Sequence, residues 1–185
     1  MAPAWGRPRP GEEALMDLKE ALTTAIGYET KVHAHYAKGA DEILSPQGKK
    51  VFATLAKEEL GHLAYLESRL DEWHRDGKIS TPELTTILPS MDWIEEARSK
   101  MSKDPERTIA VKDEMELLKI ALDLERQTSG FYRQLVETLP SSERQLFERF
   151  LEIENAHLAI VQAEIDAIAG HGTWFDVMEF RLEAG

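Results

Sequence analysis

Cysteine is absent from this chain of 185 residues. Its absence excludes disulfides, thiolate zinc sites, iron–sulfur clusters and a cysteine nucleophile together. Any metal must be held by oxygen and imidazole ligands. Basic residues are also scarce, with 22 lysines and arginines against 34 acids and a net charge of −12. That balance argues against a nucleic acid or an anionic membrane as partner. No run approaches the ~18 consecutive apolar residues of a membrane-spanning helix. The first eleven residues carry Arg7 and Arg9 among prolines with no apolar stretch behind them, so residues 1–11 read as a loose tail, not a secretory signal. A cytoplasmic protein is expected.

What the chain has in quantity is amphipathic helix. Hydrophobic residues make up 42% and charged residues 30%, in a length that suits one domain. Leu15, Leu18, Leu22, Ile26, Glu29, Val32, Tyr36, Ala40 and Ile43 recur at steps of three and four, predicting a first helix over about 12–44. After the Ser45-Pro46-Gln47 turn, Val51, Phe52, Leu55, Glu59, His62, Leu66 and Leu70 predict a second over 46–76, stopped by Gly77. Met115, Leu118, Leu122, Glu125, Tyr132 and Leu135 predict another over 108–139. A last one follows the Pro140-Ser141-Ser142 turn and runs to about Ala169, before Gly170 and Gly172. Each has about 30 residues, or ~45 Å. The connections are short, long and short, and the long one, residues 78–107, holds Pro82, Pro89 and Pro105 with a short helix near 91–101. The expected class is all-α: a ferritin-like four-helix bundle over 12–170 with one long crossover between helices 2 and 3. Residues 171–185 form an aromatic tail, with Trp174 to Phe180 covering the bundle or meeting another subunit.

Glu29 interrupts an otherwise apolar stripe, and a glutamate there must be paired, protonated or bound to a cation. Two helices carry Glu-x-x-His, at Glu59 and His62 and at Glu154 and His157. That spacing sets a carboxylate and an imidazole one turn apart on one face. With 24 glutamates and 6 histidines the motif arises cheaply, as the near-match Asp71-x-x-His74 shows. The register is more informative. Ala25, Ile26, Glu29 and Tyr36 match Ala121, Leu122, Glu125 and Tyr132 interval for interval. Phe52, Leu55, Glu59, His62 and Leu63 match Phe147, Phe150, Glu154, His157 and Leu158 in the same way. Two helix pairs so related read as an internal duplication. Together they offer the ligands of a two-metal carboxylate site: Glu29, Glu59, His62, Glu125, Glu154 and His157.

Iron and manganese accept such mixed ligation, and four glutamates balance the charge of two divalent ions. Without metal, acids so crowded are expected to titrate above their usual range. These residues, from about Leu15 to Ala169 outside the crossover, resemble the rubrerythrins within the ferritin-like superfamily. The resemblance implies two iron ions, with manganese or a mixed pair as variants. It also implies Glu59 and Glu154 as bridging ligands, Glu29 and Glu125 as terminal ones, and one histidine on each metal. It implies an oxidoreductase that reduces hydrogen peroxide or oxidises ferrous iron with dioxygen, in defence against oxidative stress. The electron donor is then external or absent, and a homo-oligomer, dimeric or larger, is expected. Two departures stand out. Rubrerythrins add a cysteine-bound rubredoxin module, which this chain lacks the residues to build. They also carry a further glutamate three residues after the third-helix acid, where this chain has Thr128, so the set resembles that of bacterioferritins. Iron storage, di-iron hydroxylation and a purely structural bundle are the competing readings.

Tyr36 and Tyr132 are candidates to hydrogen-bond the ligand carboxylates or to serve in electron transfer. His33 reads as a stray core-edge histidine, and His35, His74 and His171 as surface residues. Glu58, Glu67 and Glu72 fall off the apolar stripe and read as solvated charges.

Overall fold

Asp17 opens the first helix, its side chain accepting a hydrogen bond from the Glu20 backbone N–H at 2.8 Å. It thereby satisfies a donor that every helix start leaves free. Helix α1 spans Leu18–Glu42. Met16 and Asp17 are not helical, so the start expected at Glu12 lies too early. The structure, a computed structural model, describes residues 16–89, 91–99, 112–171 and Trp174. Of helical residues 91, 97–99, 112, 142 and 171 it describes the backbone alone. The expected tail 1–11, and the expected aromatic stretch beyond Trp174, lie outside the described residues.

Ser45 caps the next helix by accepting from the Gly48 N–H at 3.3 Å, and Pro46 occupies its first turn, where a missing N–H is harmless. Helix α2 spans Pro46–Asp76 and ends on Gly77, whose φ of 63° is the left-handed conformation that favours glycine. Helix α3, Met91–Ser99, is the short crossover helix. Helices α4, Lys112–Thr138, and α5, Ser141–His171, complete the set. The α4–α5 turn is tighter than its sequence suggests, because the N–H groups of Glu143 and Arg144 already bond to the Pro140 carbonyl at 3.0 Å. Helix α5 likewise passes through Gly170, where a stop is expected.

The chain forms two antiparallel hairpins, α1 with α2 and α4 with α5, joined through packing of α1 on α4. Residue pairings show α1 and α4 to be antiparallel, since Tyr36 meets Glu125 and Tyr132 meets Glu29. Helix α2 ends near the start of α1, where Lys19 lies over the Trp73 ring. Helix α4 begins at the other end, where Glu114 receives the N–H groups of Leu44 and Ser45. The crossover must therefore travel the length of the bundle. Its first part is fastened along the way: Tyr65 donates to the Pro82 carbonyl at 2.7 Å, and Arg149 to that of Leu84 at 3.1 Å. The architecture is that of an all-α, ferritin-like bundle.

The core is divided in two. One apolar layer, including Tyr36, Phe52, Leu55, Leu118, Ile160 and Trp174, fills the end near the α1–α2 turn. A second, including Leu22, Leu66, Tyr132, Leu135, Phe147 and Phe150, fills the opposite end. Trp174 is buried against Phe52 and donates its indole N–H to Glu114 at 2.8 Å, so it covers the bundle. Helices α1 and α2 approach closely only because position 39 is glycine, since a Cβ there would overlap the Phe52 ring.

Gly39→Ala is expected to destabilise the protein by about 1–3 kcal/mol through overpacking. Gly27→Ala, where a Cβ meets nothing within 4 Å, should stabilise it by about 0.5–1 kcal/mol through helix propensity. Urea unfolding of the two variants checks the pair, and equal stability would refute the close approach at Gly39.

Candidate metal centre

Between the two apolar layers lies a belt of ionisable side chains. Glu29, Glu59, Glu125, Glu154 and His157 have no exposed surface, and His62 is 1% exposed. Each comes from a different place in the chain, and helical periodicity brings them together. Glu29 and Glu125 replace apolar residues on the inner faces of α1 and α4. The Glu-x-x-His pairs occupy the inner faces of α2 and α5, one turn of helix each.

His62 Nδ1 lies 3.3 Å from an oxygen of each of Glu29, Glu59 and Glu154. His157 Nδ1 lies 2.7 Å from Glu59, 3.7 Å from Glu125 and 3.8 Å from Glu154. The two imidazoles stack with centroids 5.3 Å apart and planes 12° from parallel. Two groups of four result, Glu29, Glu59, His62, Glu154 and Glu59, Glu125, Glu154, His157, in each of which one ligand atom per residue lies within 4.8 Å of the others. Glu59 and Glu154 belong to both.

The tyrosines cross between halves. Tyr36 on α1 donates its hydroxyl to Glu125 on α4, and Tyr132 on α4 donates to Glu29 on α1. Both phenols are pushed well above their usual range by burial and by the neighbouring carboxylate charge.

The acids do not titrate alike. Burial, then the charges of Glu154 and Glu29, push Glu59 well up. Burial, with Glu154 and Glu59, does the same to Glu125. Burial also opposes ionisation of Glu29, but bonds from His62, Glu59 and Tyr132 outweigh it and hold that carboxyl below its usual value. The expectation of uniformly raised acids is therefore wrong for Glu29, because the His62 charge sits against it. Burial opposes protonation of His62, yet Glu59, Glu154 and Glu29 overcome it and raise its pKa well above normal. His157 is lowered, mainly by burial.

A metal fits this donor set. Both oxygens of Glu59 and of Glu154, Oε2 of Glu125 and Nδ1 of His157 are buried without a hydrogen-bond partner. Buried polar atoms are normally satisfied, and this many orphans at one point leaves room in their coordination for a cation. Four carboxylates and two imidazoles also match the oxygen and nitrogen preference of iron or manganese.

A family model described as rubrerythrin matches residues 20–165. The chain belongs to the rubrerythrin family. No curated protein and no solved structure gave a match. In this rubrerythrin-family bundle the belt holds the candidate metal-binding groups. The Thr128 departure has a local explanation: Thr128 is fully buried and its hydroxyl donates to the Leu124 carbonyl at 3.1 Å, one turn back on its own helix.

Other sequence readings need correction. His35 is half-buried, with Nε2 2.9 Å from the Leu117 carbonyl, and is no surface residue. His33 is partly exposed and His74 exposed, while the His171 side chain lies outside the described residues. Glu58 is 8% exposed instead of solvated. It accepts from the Thr86 hydroxyl and from the Ile87 N–H at 3.2 Å, and lies within 4.8 Å of a nitrogen of both His62 and His157. The available signal was its position one turn before His62, at i and i+4, which the stronger Glu59 register masked.

The titration pattern has a definite sign. Above about pH 6.5, the ordinary value of histidine, Glu29 and His157 carry the same charge folded and unfolded. Glu59, Glu125 and His62, with raised pKa values, release their protons at higher pH in the folded chain than in the unfolded one. Their contribution, complete below the unfolded values, is lost as pH rises through the folded ones. The unfolding free energy of metal-free protein should fall as pH rises through these raised values, by up to ~1.4 kcal/mol per unit for each extra proton, with a matching drop in melting temperature. Glu125→Gln should flatten that slope and raise stability there by about 1 kcal/mol. Glu29→Gln should lower stability by about 1–3 kcal/mol, since it removes the ionised partner of His62. Equal effects of the two substitutions on thermal melts would refute the assignment.

Proposed function

We propose that this protein is a di-iron carboxylate oxidoreductase that reduces hydrogen peroxide, oxidises ferrous iron, or does both. The observation that carries this reading is the sharing of Glu59 and Glu154 between two buried four-residue groups. Sharing is what a carboxylate-bridged pair of ions requires, and a single-metal site would not require it. Glu29, His62 and the two shared acids would hold one ion; Glu125, His157 and the same acids would hold the other. A bound ferrous pair supplies two electrons, the number that takes hydrogen peroxide with two protons to two waters.

The chain's own residues set the conditions. Tyr36 and Tyr132 keep their protons at neutral pH and so remain donors, which fixes the rotation of Glu125 and Glu29. The two apolar layers exclude bulk water from both sides of the belt, which strengthens every electrostatic interaction inside it. Four carboxylates against two divalent ions make the loaded belt nearly neutral. Return of electrons falls to an external donor, since no cysteine is present to hold an iron–sulfur or rubredoxin-type group. Thr128 bears on the choice of oxidant, because its position carries an additional acid in the rubrerythrins that the sequence resembles. A hydroxyl there supports the dioxygen-driven ferroxidase activity as the second reading.

Anaerobic loading with ferrous ion, followed by separate mixing with peroxide and dioxygen, tests the proposal. Oxidation by peroxide faster by about tenfold, or ~1.4 kcal/mol of barrier, supports peroxide reduction. Comparable or faster reaction with dioxygen supports ferroxidase chemistry, and oxidation no faster than that of free ferrous ion refutes both. Glu59→Ala or Glu154→Ala should abolish paired binding, while Glu67→Ala on the exposed face leaves metal content unchanged. Thr128→Glu should raise the peroxide-to-dioxygen rate ratio without loss of iron. An unchanged ratio with the new carboxylate bound would remove that position from the argument.

A further inference from the structure

Glu58 is a buried acid that the two four-residue groups do not use. It lies one turn before His62 on α2, and with His62 and His157 it forms a third buried group within 4.8 Å. Both histidines turn Nδ1 to the glutamates. In both, Nε2 is buried and has no hydrogen-bond partner. The two rings stack near-parallel at 5.3 Å, and one Glu58 oxygen lies within 4.8 Å of a nitrogen of each, so one acceptor can serve both.

An imidazole that binds a metal through Nδ1 carries its proton on Nε2, and that N–H needs an acceptor when buried. Glu58 has acceptor capacity to spare. One oxygen receives the Thr86 hydroxyl and the other the Ile87 N–H, which leaves a lone pair free on each. The carboxylate lies within 4.8 Å of one nitrogen of each ring, close enough for a side-chain rotation or one bridging water to bring it to Nε2. A carboxylate behind a metal-bound histidine fixes the tautomer and ring orientation and makes the ligand nitrogen more basic.

We propose that Glu58 is a positioning residue shared by both metals, accepting the Nε2–H of His62 and of His157 and holding their Nδ1 atoms toward the glutamates. Because its carboxylate is also bonded by Thr86 and Ile87, it links the crossover to the centre. The inference rests on the two-metal reading of the site.

Cobalt(II) is a suitable probe, since it is paramagnetic and binds without oxidants. The full chain is loaded anaerobically, and cobalt stoichiometry and affinity are measured by absorption against a competing chelator. Proton NMR in H2O and D2O then detects the solvent-exchangeable, strongly shifted imidazole N–H signals. Wild type should bind two cobalt ions and show two such signals, one per ring. Glu58→Gln should still bind two ions, but about ten- to a hundredfold more weakly, with both signals moved and broadened by exchange. Thr86→Val, which loosens the crossover and keeps the carboxylate, should keep both signals.

Unmoved signals and unchanged affinity in Glu58→Gln would overturn the proposal and leave Glu58 as a crossover fastening only. A change confined to one ring would overturn the shared role. Three ions in wild type and two in Glu58→Gln would make Glu58 a ligand, which also overturns it. Wild type binding no cobalt would instead defeat the two-metal reading, and this inference with it. Should Glu58→Gln not fold, Glu58→Asp gives the same readout: a retracted carboxylate must shift both signals, and unshifted ones refute the role.

Discussion

The structure turns on one unfavourable act, the burial of four carboxylates and two imidazoles at a single level of a helical bundle. Isolated charges in an apolar interior are so costly that they either neutralise or find partners. Both responses appear here. Glu59 and Glu125 are driven toward their protonated forms, while Glu29 stays ionised against a protonated His62. Several oxygens still have no partner. An arrangement that poor in internal compensation makes sense in a protein that gains its compensation from a ligand. Any cation held only by the folded state returns stability by mass action.

That central penalty explains why the rest of the fold is so thoroughly apolar and fastened. Two hydrophobic layers flank the belt, each contributed by all four long helices. Buried leucine, phenylalanine and tyrosine side chains stabilise by about 1.5–3 kcal/mol each. At one end of the bundle a buried acid outside the belt has its partners supplied by the protein. Glu114 receives two backbone N–H groups from the α1–α2 turn and the indole of Trp174, closing one end of the bundle. The contrast between Glu114 and Glu59 is the clearest structural sign of function. Both are buried glutamates, but one has its partners supplied by the protein and the other does not.

The sequence made the long helices and the belt legible for the same reason. A 3.6-residue period marks an inner face, and an acid or histidine on that face is conspicuous. It marked Glu29, Glu59, His62, Glu125, Glu154 and His157 as inward-facing, and they are buried together, because the duplicated register checks each by a counterpart. It failed where the deciding contact comes from outside the helix. Glu58 lies just off the apolar stripe of α2, and only the crossover packed over it makes it buried. His35 is covered by the Leu117 carbonyl of α4. Neither follows from periodicity, since each depends on where a loop or a distant helix comes to rest. Equivalent register also hid an inequality: Glu29 and Glu125 match in sequence, yet His62 makes one ionised while Glu125 is pushed the other way.

The duplication has a further physical consequence. Each hairpin carries one lone glutamate, one Glu-x-x-His and one tyrosine, enough in kind for half a site. Neither completes a four-residue group alone. The first hairpin supplies Glu29, Glu59 and His62 and needs Glu154; the second supplies Glu125, Glu154 and His157 and needs Glu59. Each lone glutamate is also held by the tyrosine of the other hairpin. Docking of the two hairpins and assembly of the centre are therefore one event. A cation bound at the belt would be gripped by both halves, and an α1–α4 seam that otherwise rests on side-chain packing and hydrogen bonds would gain a charged bridge. Glu59 and Glu125, whose charge the metal-free bundle disfavours, would then join its two halves once that charge is matched.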